Sequence, residues 1–221
     1  MAYIELRKIC KSYSNGRSLL HVLDHLDFCI EKGDMISIMG RSGSGKTTLL
    51  NILAGIIAPD SGSYIFSGRQ LNYTKERDRR RFRSEHIGYI MQDIPLLSDR
   101  TVWANVKLPL QYQRRDQRMP DDEILNLASQ LQIEGLLNER PSRLSGGERQ
   151  KVGILRALVQ RADIILADEP TGSLDEASGL EILDLLKGLN QQGKTLIVIT
   201  HDQTVAGICH THYVLHEGAF E

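Results

Sequence analysis

Four short apolar runs punctuate the chain: Met35-Ile36-Ser37-Ile38-Met39, Ile87-Gly88-Tyr89-Ile90-Met91, Ile164-Ile165-Leu166-Ala167 and Leu196-Ile197-Val198-Ile199. Most show little alternation, which suits strands covered on both faces in a parallel sheet. Two other runs read differently. Leu26-Asp27-Phe28-Cys29-Ile30 alternates apolar and polar like a half-buried strand, and Gly62 to Gly68 is a short strand-like run with glycine at both ends. Helical periodicity fills the intervals. It spans Thr48 to Ala54, stopping at Gly55, and returns as a stripe of Leu180, Leu183 with Ile182, Leu186 and Leu189. Residues from about 93 to 160 contain no comparable strand run; there Asp122 to Leu131 places Ile124, Leu125, Ala128 and Leu131 on one helix face, and another helix begins near Gly146. Strand–helix alternation predicts an α/β fold built on a mostly parallel sheet, with strands in the first third and a helical subdomain inserted at about 93–160.

The 221 residues suffice for one domain carrying a modest insertion, here taken as residues 1–221. Hydrophobic residues at 41% and charged residues at 25% exclude wholesale disorder and low-complexity chains. A formal net charge of −1 leaves no global basic field for nucleic acid. The run Lys75 to Arg81 mixes signs and reads as a solvated helix face. No apolar stretch approaches the ~20 residues of a spanning helix, and Met1-Ala2-Tyr3-Ile4-Glu5 does not resemble a secretory signal. Cys10, Cys29 and Cys209 are odd in number and lack metal spacing, so reduced, packed thiols are expected. Together these features predict a soluble intracellular protein.

Each of the four apolar runs ends at a polar feature, and in open parallel sheets ligands bind beyond the carboxyl ends of the strands. The first run delivers Gly40-Arg41-Ser42-Gly43-Ser44-Gly45-Lys46-Thr47, a G-x-x-x-x-G-K-T phosphate-binding loop between a strand and a helix. Its glycines let backbone N–H groups curl around phosphate oxygens, Lys46 neutralises the β/γ-phosphates and the Thr47 hydroxyl holds Mg²⁺. The third run ends at Asp168-Glu169, a metal-supporting carboxylate followed by a base able to activate water. The second and fourth deliver Gln92, for the metal shell or the water, and His201, for the γ-phosphate. Separately, Ser145-Gly146-Gly147-Glu148 carries a capping-box pattern. Two glycines in that first turn are compatible either with a second anion cradle or with an ordinary capped helix.

The ordered set Gly40 to Thr47, Gln92, Leu144 to Glu148, Asp168-Glu169-Pro170, Ser173-Leu174-Asp175 and His201 resembles the ATP-binding-cassette (ABC) ATPases over essentially the whole chain. The resemblance implies a P-loop NTPase core with an N-terminal antiparallel β subdomain and an inserted helical subdomain. It makes these segments the Walker A, Q-loop, signature, Walker B, D-loop and H-loop. It further implies ATP and Mg²⁺ as ligands, with Ser42, Gly43, Ser44, Gly45 and Thr48 joining Lys46 around the phosphates. Tyr13 falls where the family stacks an aromatic on adenine, although locally it reads equally well as a surface tyrosine.

In such proteins two chains pair head-to-tail, so Ser145, Gly146 and Gly147 meet the nucleotide held by the partner, and Asp175 crosses the interface. The fine match is to ATPases of macrolide-exporter and lipoprotein-release type. That match implies ATP hydrolysis on the cytoplasmic face of a membrane, driving a separate permease that docks along Leu96 to Gln113. Lys151, Leu155 and Trp103 depart from the family pattern, and Trp103 leaves the identity of the membrane partner open. An alternative is a regulatory cassette of low turnover. A soluble ABC ATPase of DNA repair or translation does not fit the length, and a small-molecule P-loop kinase leaves the signature unexplained.

Overall fold

The computed structural model describes residues 2–14, 16 and 18–221. In chain order it begins with β1 (Ile4–Ser14), β2 (Leu19–Ile30), β3 (Met35–Met39), α1 (Lys46–Leu53), β4 (Ser61–Phe66), β5 (Arg69–Gln70), α2 (Glu76–His86) and β6 (Ile87–Ile90). Three helices follow, α3 (Val102–Lys107), α4 (Asp121–Gln130) and α5 (Gly146–Leu158), joined by short 3₁₀ turns. The chain closes with β7 (Ile164–Asp168), α6 (Glu176–Gln191), β8 (Thr195–Ile199), α7 (Gln203–Ala206), β9 (Thr211–His216) and β10 (Ala219–Phe220).

Two sheets result. A four-stranded antiparallel sheet runs β2-β1-β4-β5, and a six-stranded sheet runs β10-β9-β3-β8-β7-β6, parallel except for the terminal β9–β10 hairpin. The four apolar runs of the sequence are therefore four adjacent parallel strands. Their continuity has a plain cause. Successive side chains point to opposite faces, and each face meets its own core. Ile164, Leu166, Ile197 and Ile199 pack with α1 and the antiparallel sheet, through Leu49, Leu50, Ile52, Leu53, Leu6 and Leu23. Ile165, Ala167, Leu196 and Val198 pack with α3, α5 and α6, through Val106, Val152, Leu155, Ile182 and Leu186.

Several expectations need correction. Leu125 of α4 is 40% exposed and Leu180 of α6 is 52% exposed, so neither belongs to its helix's buried stripe; Ile124, Ala128, Ile182, Leu183 and Leu186 carry the packing instead. Of the three thiols only Cys209 is buried, and burial pushes its pKa up to about 11. Cys10 is half-buried, and Cys29 is exposed because it falls on the outward phase of β2. Within the Lys75 to Arg81 run Arg79 turns inward to the Tyr73 carbonyl, while just beyond it α2 buries Phe82 and Arg83 reaches the Gly55 carbonyl. Strand β9 was not foreseen, since only Leu215 of its six residues is buried and the apolar signal is faint.

Strand β6 lies close against α5. A Cβ placed on Gly88 would stand 2.8 Å from the Ala157 carbonyl oxygen and 2.8 Å from Ile165 Cδ1, both closer than packing allows. Overpacking of this kind costs about 1–3 kcal/mol. Gly88→Ala should accordingly lower the urea unfolding midpoint with little change in slope, a result that equilibrium denaturation checks.

Candidate active site

The ends of β3, β6, β7 and β8 open onto one cavity of about 640 Å³. The loop after β3 turns sharply at Gly40, where φ is 149° and a Cβ would lie 2.3 Å from the Leu215 carbonyl oxygen. The loop ends at Gly45, which has φ 103° and begins α1 with no side-chain cap. The first N–H groups of α1 thus keep their hydrogen-bonding capacity and the helix its positive end for an anion. Lys46 Nζ donates to the carbonyls of Gly40 at 2.7 Å and Arg41 at 2.9 Å, arching back over the loop. The Ser44 hydroxyl is buried and has no hydrogen-bond partner among the described residues.

Thr47, in the first turn of α1, donates its hydroxyl to Asp168 Oδ2 at 3.2 Å. Asp168 is the last residue of β7 and is 7% exposed. Burial raises its carboxyl pKa; the Thr47 bond works in the opposite direction. A carboxylate that is costly to ionise when alone beside a hydroxyl is a donor set that suits a hard, oxygen-seeking cation.

Glu169 follows in the left-handed region at φ 48°, uncommon for a residue with a side chain. Its N–H still donates to the Ile199 carbonyl at 3.0 Å, so the β7–β8 ladder continues while the side chain is redirected. The carboxylate accepts three bonds: from His201 Nδ1 at 2.7 Å, from the His201 backbone N–H at 3.1 Å and from the Thr200 hydroxyl at 3.3 Å. Asp168 pairs with Ile199 across the sheet, and that register brings the end of β7 beside His201. His201 is largely exposed, whereas the Glu169 carboxylate is mostly covered.

The cavity is lined by Tyr13, Gly40, Ser42, Gly43, Gly45, Lys46, Thr47, Thr48, Gln92, Asp168, Glu169 and His201, twelve residues singled out from the sequence. It is lined also by Leu20, Val22 and Ile199, which sequence reasoning missed. Leu20 is the cross-strand partner of Tyr13, so the two share one face of the β1–β2 ribbon. The available signal was Leu19-Leu20, two exposed leucines with no core to fill.

Ser145, Gly146, Gly147 and Asp175 do not line this cavity. Ser145 and Glu148 form the reciprocal capping box that starts α5. Gly147 faces Leu174, whose Cδ2 would be 3.3 Å from an added Cβ. Gln150 Nε2 donates to the Pro170 carbonyl at 3.0 Å, tying α5 to the turn after Glu169. The Asp175 carboxylate accepts the Ser178 N–H at 3.0 Å and caps α6.

A phosphate-binding loop at the edge of a parallel sheet, with two acids and a histidine at neighbouring strand ends, defines a P-loop nucleotide-binding protein. The described family model, "ABC transporter", matches residues 23–172. The chain belongs to that family, as one of its ATPase cassettes. It is 42% identical over 203 residues to the macrolide export ATP-binding/permease protein MacB of Rhodopseudomonas palustris (strain HaA2), covering 92% of this chain and 31% of that protein. Against MacB 2 of Yersinia pestis bv. Antiqua (strain Antiqua) the identity is 40%, with 92% and 30% covered. The chain therefore spans about a third of the length of these relatives.

Among solved structures it resembles the dimeric bacterial ABC transporter cassette MJ0796, with a TM-score of 0.92, 36% identity and coverage of 99% of this chain and 96% of the other. A second structure of MJ0796, a dimeric post-hydrolysis state bound to ADP and Pi, gives a TM-score of 0.91 at 35% identity, with the same coverage. CbiO1 of Clostridium perfringens, part of the transporter complex cbiONQ, gives 0.81 at 28% identity, covering 100% and 87%.

The Glu169 carboxylate against Nδ1 holds the His201 imidazole above its ordinary pKa. A histidine raised in this way lends stability that is whole below the unfolded value of about 6.5 and fades as pH rises through the folded one. NMR titration of the His201 ring in the nucleotide-free chain should give a midpoint above ~6.5 that falls back toward it in Glu169→Gln.

Proposed function

We propose that this cassette hydrolyses ATP with Mg²⁺ on the cytoplasmic face of a membrane and drives a permease, in a head-to-tail pair of identical chains. The observation that carries the catalytic part is the covered Glu169 carboxylate, turned by a left-handed backbone toward His201 in the cavity that also holds Lys46 and Asp168. Lys46 leaves the Gly40 and Arg41 carbonyls for the β- and γ-phosphates of ATP, and the N–H groups from Ser42 to Thr48 cradle the remaining phosphate oxygens. Tyr13 and Leu20 offer an apolar platform to the base.

Thr47 and Asp168, with Gln92, hold the Mg²⁺, which when bound offsets negative charge on the phosphate oxygens. Glu169 takes a proton from the water that attacks the γ-phosphorus, as the bond to the leaving ADP oxygen breaks. His201 keeps Glu169 oriented and places its positive charge beside the γ-phosphate.

Pairing of two chains is supported by the position of the signature segment. Ser145, Gly146 and Gly147 form an N–H-rich helix tip outside their own chain's cavity. A second copy brings that tip to the γ-phosphate, and ATP then holds the pair together because it contacts both chains. Asp175, at the start of α6, lies on the face that meets the partner.

The permease contact is placed along Leu96 to Gln113, where Leu97 and Tyr112 are exposed while buried Asn105 fastens the Leu97 backbone through both its amide groups. Among the described residues no helix is long and apolar enough to cross a membrane. Export or extraction of a peptide, lipid-linked or antimicrobial substrate is the transport role we assign to the cassette, and the likeness to proteins named for macrolide export supports the export part of that reading.

Glu169→Gln should bind ATP as before and accumulate as a dimer, while turnover falls ~100-fold or more, the scale of a lost general base. Wild-type turnover would remove Glu169 from that role; phosphate release and size-exclusion chromatography provide the readings. Mixing Lys46→Ala chains with Gly147→Asp chains should restore one trapped nucleotide per mixed dimer, although neither variant traps any alone. Failure of the mixture to trap nucleotide would dismiss the facing arrangement.

A further inference from the structure

Outside the nucleotide cavity, Cys10, Asp24 and His25 are the one group of three metal-ligand side chains among the described residues whose donor atoms all lie within 4.8 Å of one another. We propose that they bind a borderline-soft divalent cation of the Zn²⁺ class, at a site separate from the Mg²⁺ of the nucleotide.

The β1–β2 ladder explains how three such residues meet. Ile9 pairs with Leu26 and Lys11 with Leu23, so Cys10 alone on β1 stands opposite two residues, Asp24 and His25, on β2. That is a β-bulge, a device that re-aims side chains and recurs beside functional sites. All three of its residues carry metal-binding groups. His25 adopts φ 47°, a left-handed backbone rare for a residue with a side chain, and its N–H points at Cys10 Sγ, 3.3 Å away. The imidazole Nδ1 is already 2.6 Å from Asp24 Oδ1, an arrangement that orients the ring. Both Asp24 and His25 are exposed and Cys10 is half-buried, so an ion reaches the site without the fold opening.

The donors decide the class of ion. One sulfur, one imidazole nitrogen and one carboxylate oxygen match Zn²⁺ and its neighbours and disfavour Mg²⁺ and Ca²⁺, which take oxygen. Three protein ligands leave a coordination position for water. On binding, the ion takes the place of the Cys10 thiol proton, which passes to solvent. Such an ion would pin β1 to β2 three residues from Tyr13 and two from Val22, both in the wall of the nucleotide cavity. Spacing along the chain conceals the site, because Cys10 and the Asp24-His25 pair belong to different strands.

Tag-free full-length protein, stripped with chelator and titrated with Co²⁺, tests this. One ion per chain should bind, with the absorption band of a cobalt–thiolate bond, and Zn²⁺ should displace it. Cys10→Ser should lose the band. His25→Asn, which tolerates the left-handed backbone, should weaken binding by ~10-fold or more. Cys29→Ser should change nothing. Absence of a thiolate band in the wild type, or its survival in Cys10→Ser, overturns the assignment. If Cys10→Ser does not fold, His25→Asn and Asp24→Ala decide, and wild-type Co²⁺ affinity in both rejects the site.

Discussion

The in-register parallel pairing of β6, β7 and β8 with β3 is the constraint on which the rest of the molecule depends. Asp168 of β7 stands opposite Ile199 of β8, and Ile199 opposite Ile38 of β3, so the last residues of the three central strands fall within one short stretch of sheet edge. A slip of one residue would exchange the two faces of a strand. Ile165 and Ala167 would then meet the core that Ile164 and Leu166 now fill, and Asp168 would turn away from Thr47. Hydrophobic packing on both faces therefore fixes the geometry of the proposed active site. The acids stand where they do because the apolar residues before them cannot be shifted.

That rigidity supports local features that would be unfavourable alone. Glu169 holds a left-handed backbone and Asp168 is buried with its pKa raised, both costs borne at a functional site by the surrounding sheet. The compensating bonds come from Thr200 and His201, just past the end of β8, and from α1, through Thr47. Tight packing of Gly88 against α5 and the Gln150–Pro170 bond connect the signature helix to the same edge. The Gln150–Pro170 bond thus joins the turn after Glu169 to the helix that begins at Ser145, a structural connection between the proposed hydrolytic site and the surface proposed to meet a second chain.

Much of this was legible in residue order. The continuous apolar runs identified the four adjacent parallel strands β3, β8, β7 and β6 because both faces of the sheet are covered. The G-x-x-x-x-G-K-T segment between strand and helix identified the phosphate loop, and Ser145-x-x-Glu148 marked the start of α5 to the residue. Less was visible where the signal depends on a partner strand. Leu20 and Val22 line the cavity only because the β1–β2 register sets Leu20 opposite Tyr13. Strand β9 completes the sheet beside β3 with a single buried residue, and Leu125 and Leu180 share the helical period of their neighbours yet face outward.

Local chemistry alone determined which residues are equipped to hold phosphate, to carry a proton and to begin a helix, since these properties follow from side-chain type and from spacing over a few positions. Tertiary structure decided which of them meet. It gathered Lys46, Asp168, Glu169 and His201 at one sheet edge, kept Ser145 and Gly147 away from it, and used a bulge to draw Cys10 toward Asp24 and His25. The physical reason is the same in each case. Contacts between distant segments are set by strand register and by the burial of whole faces, and neither is written in any short stretch of the chain.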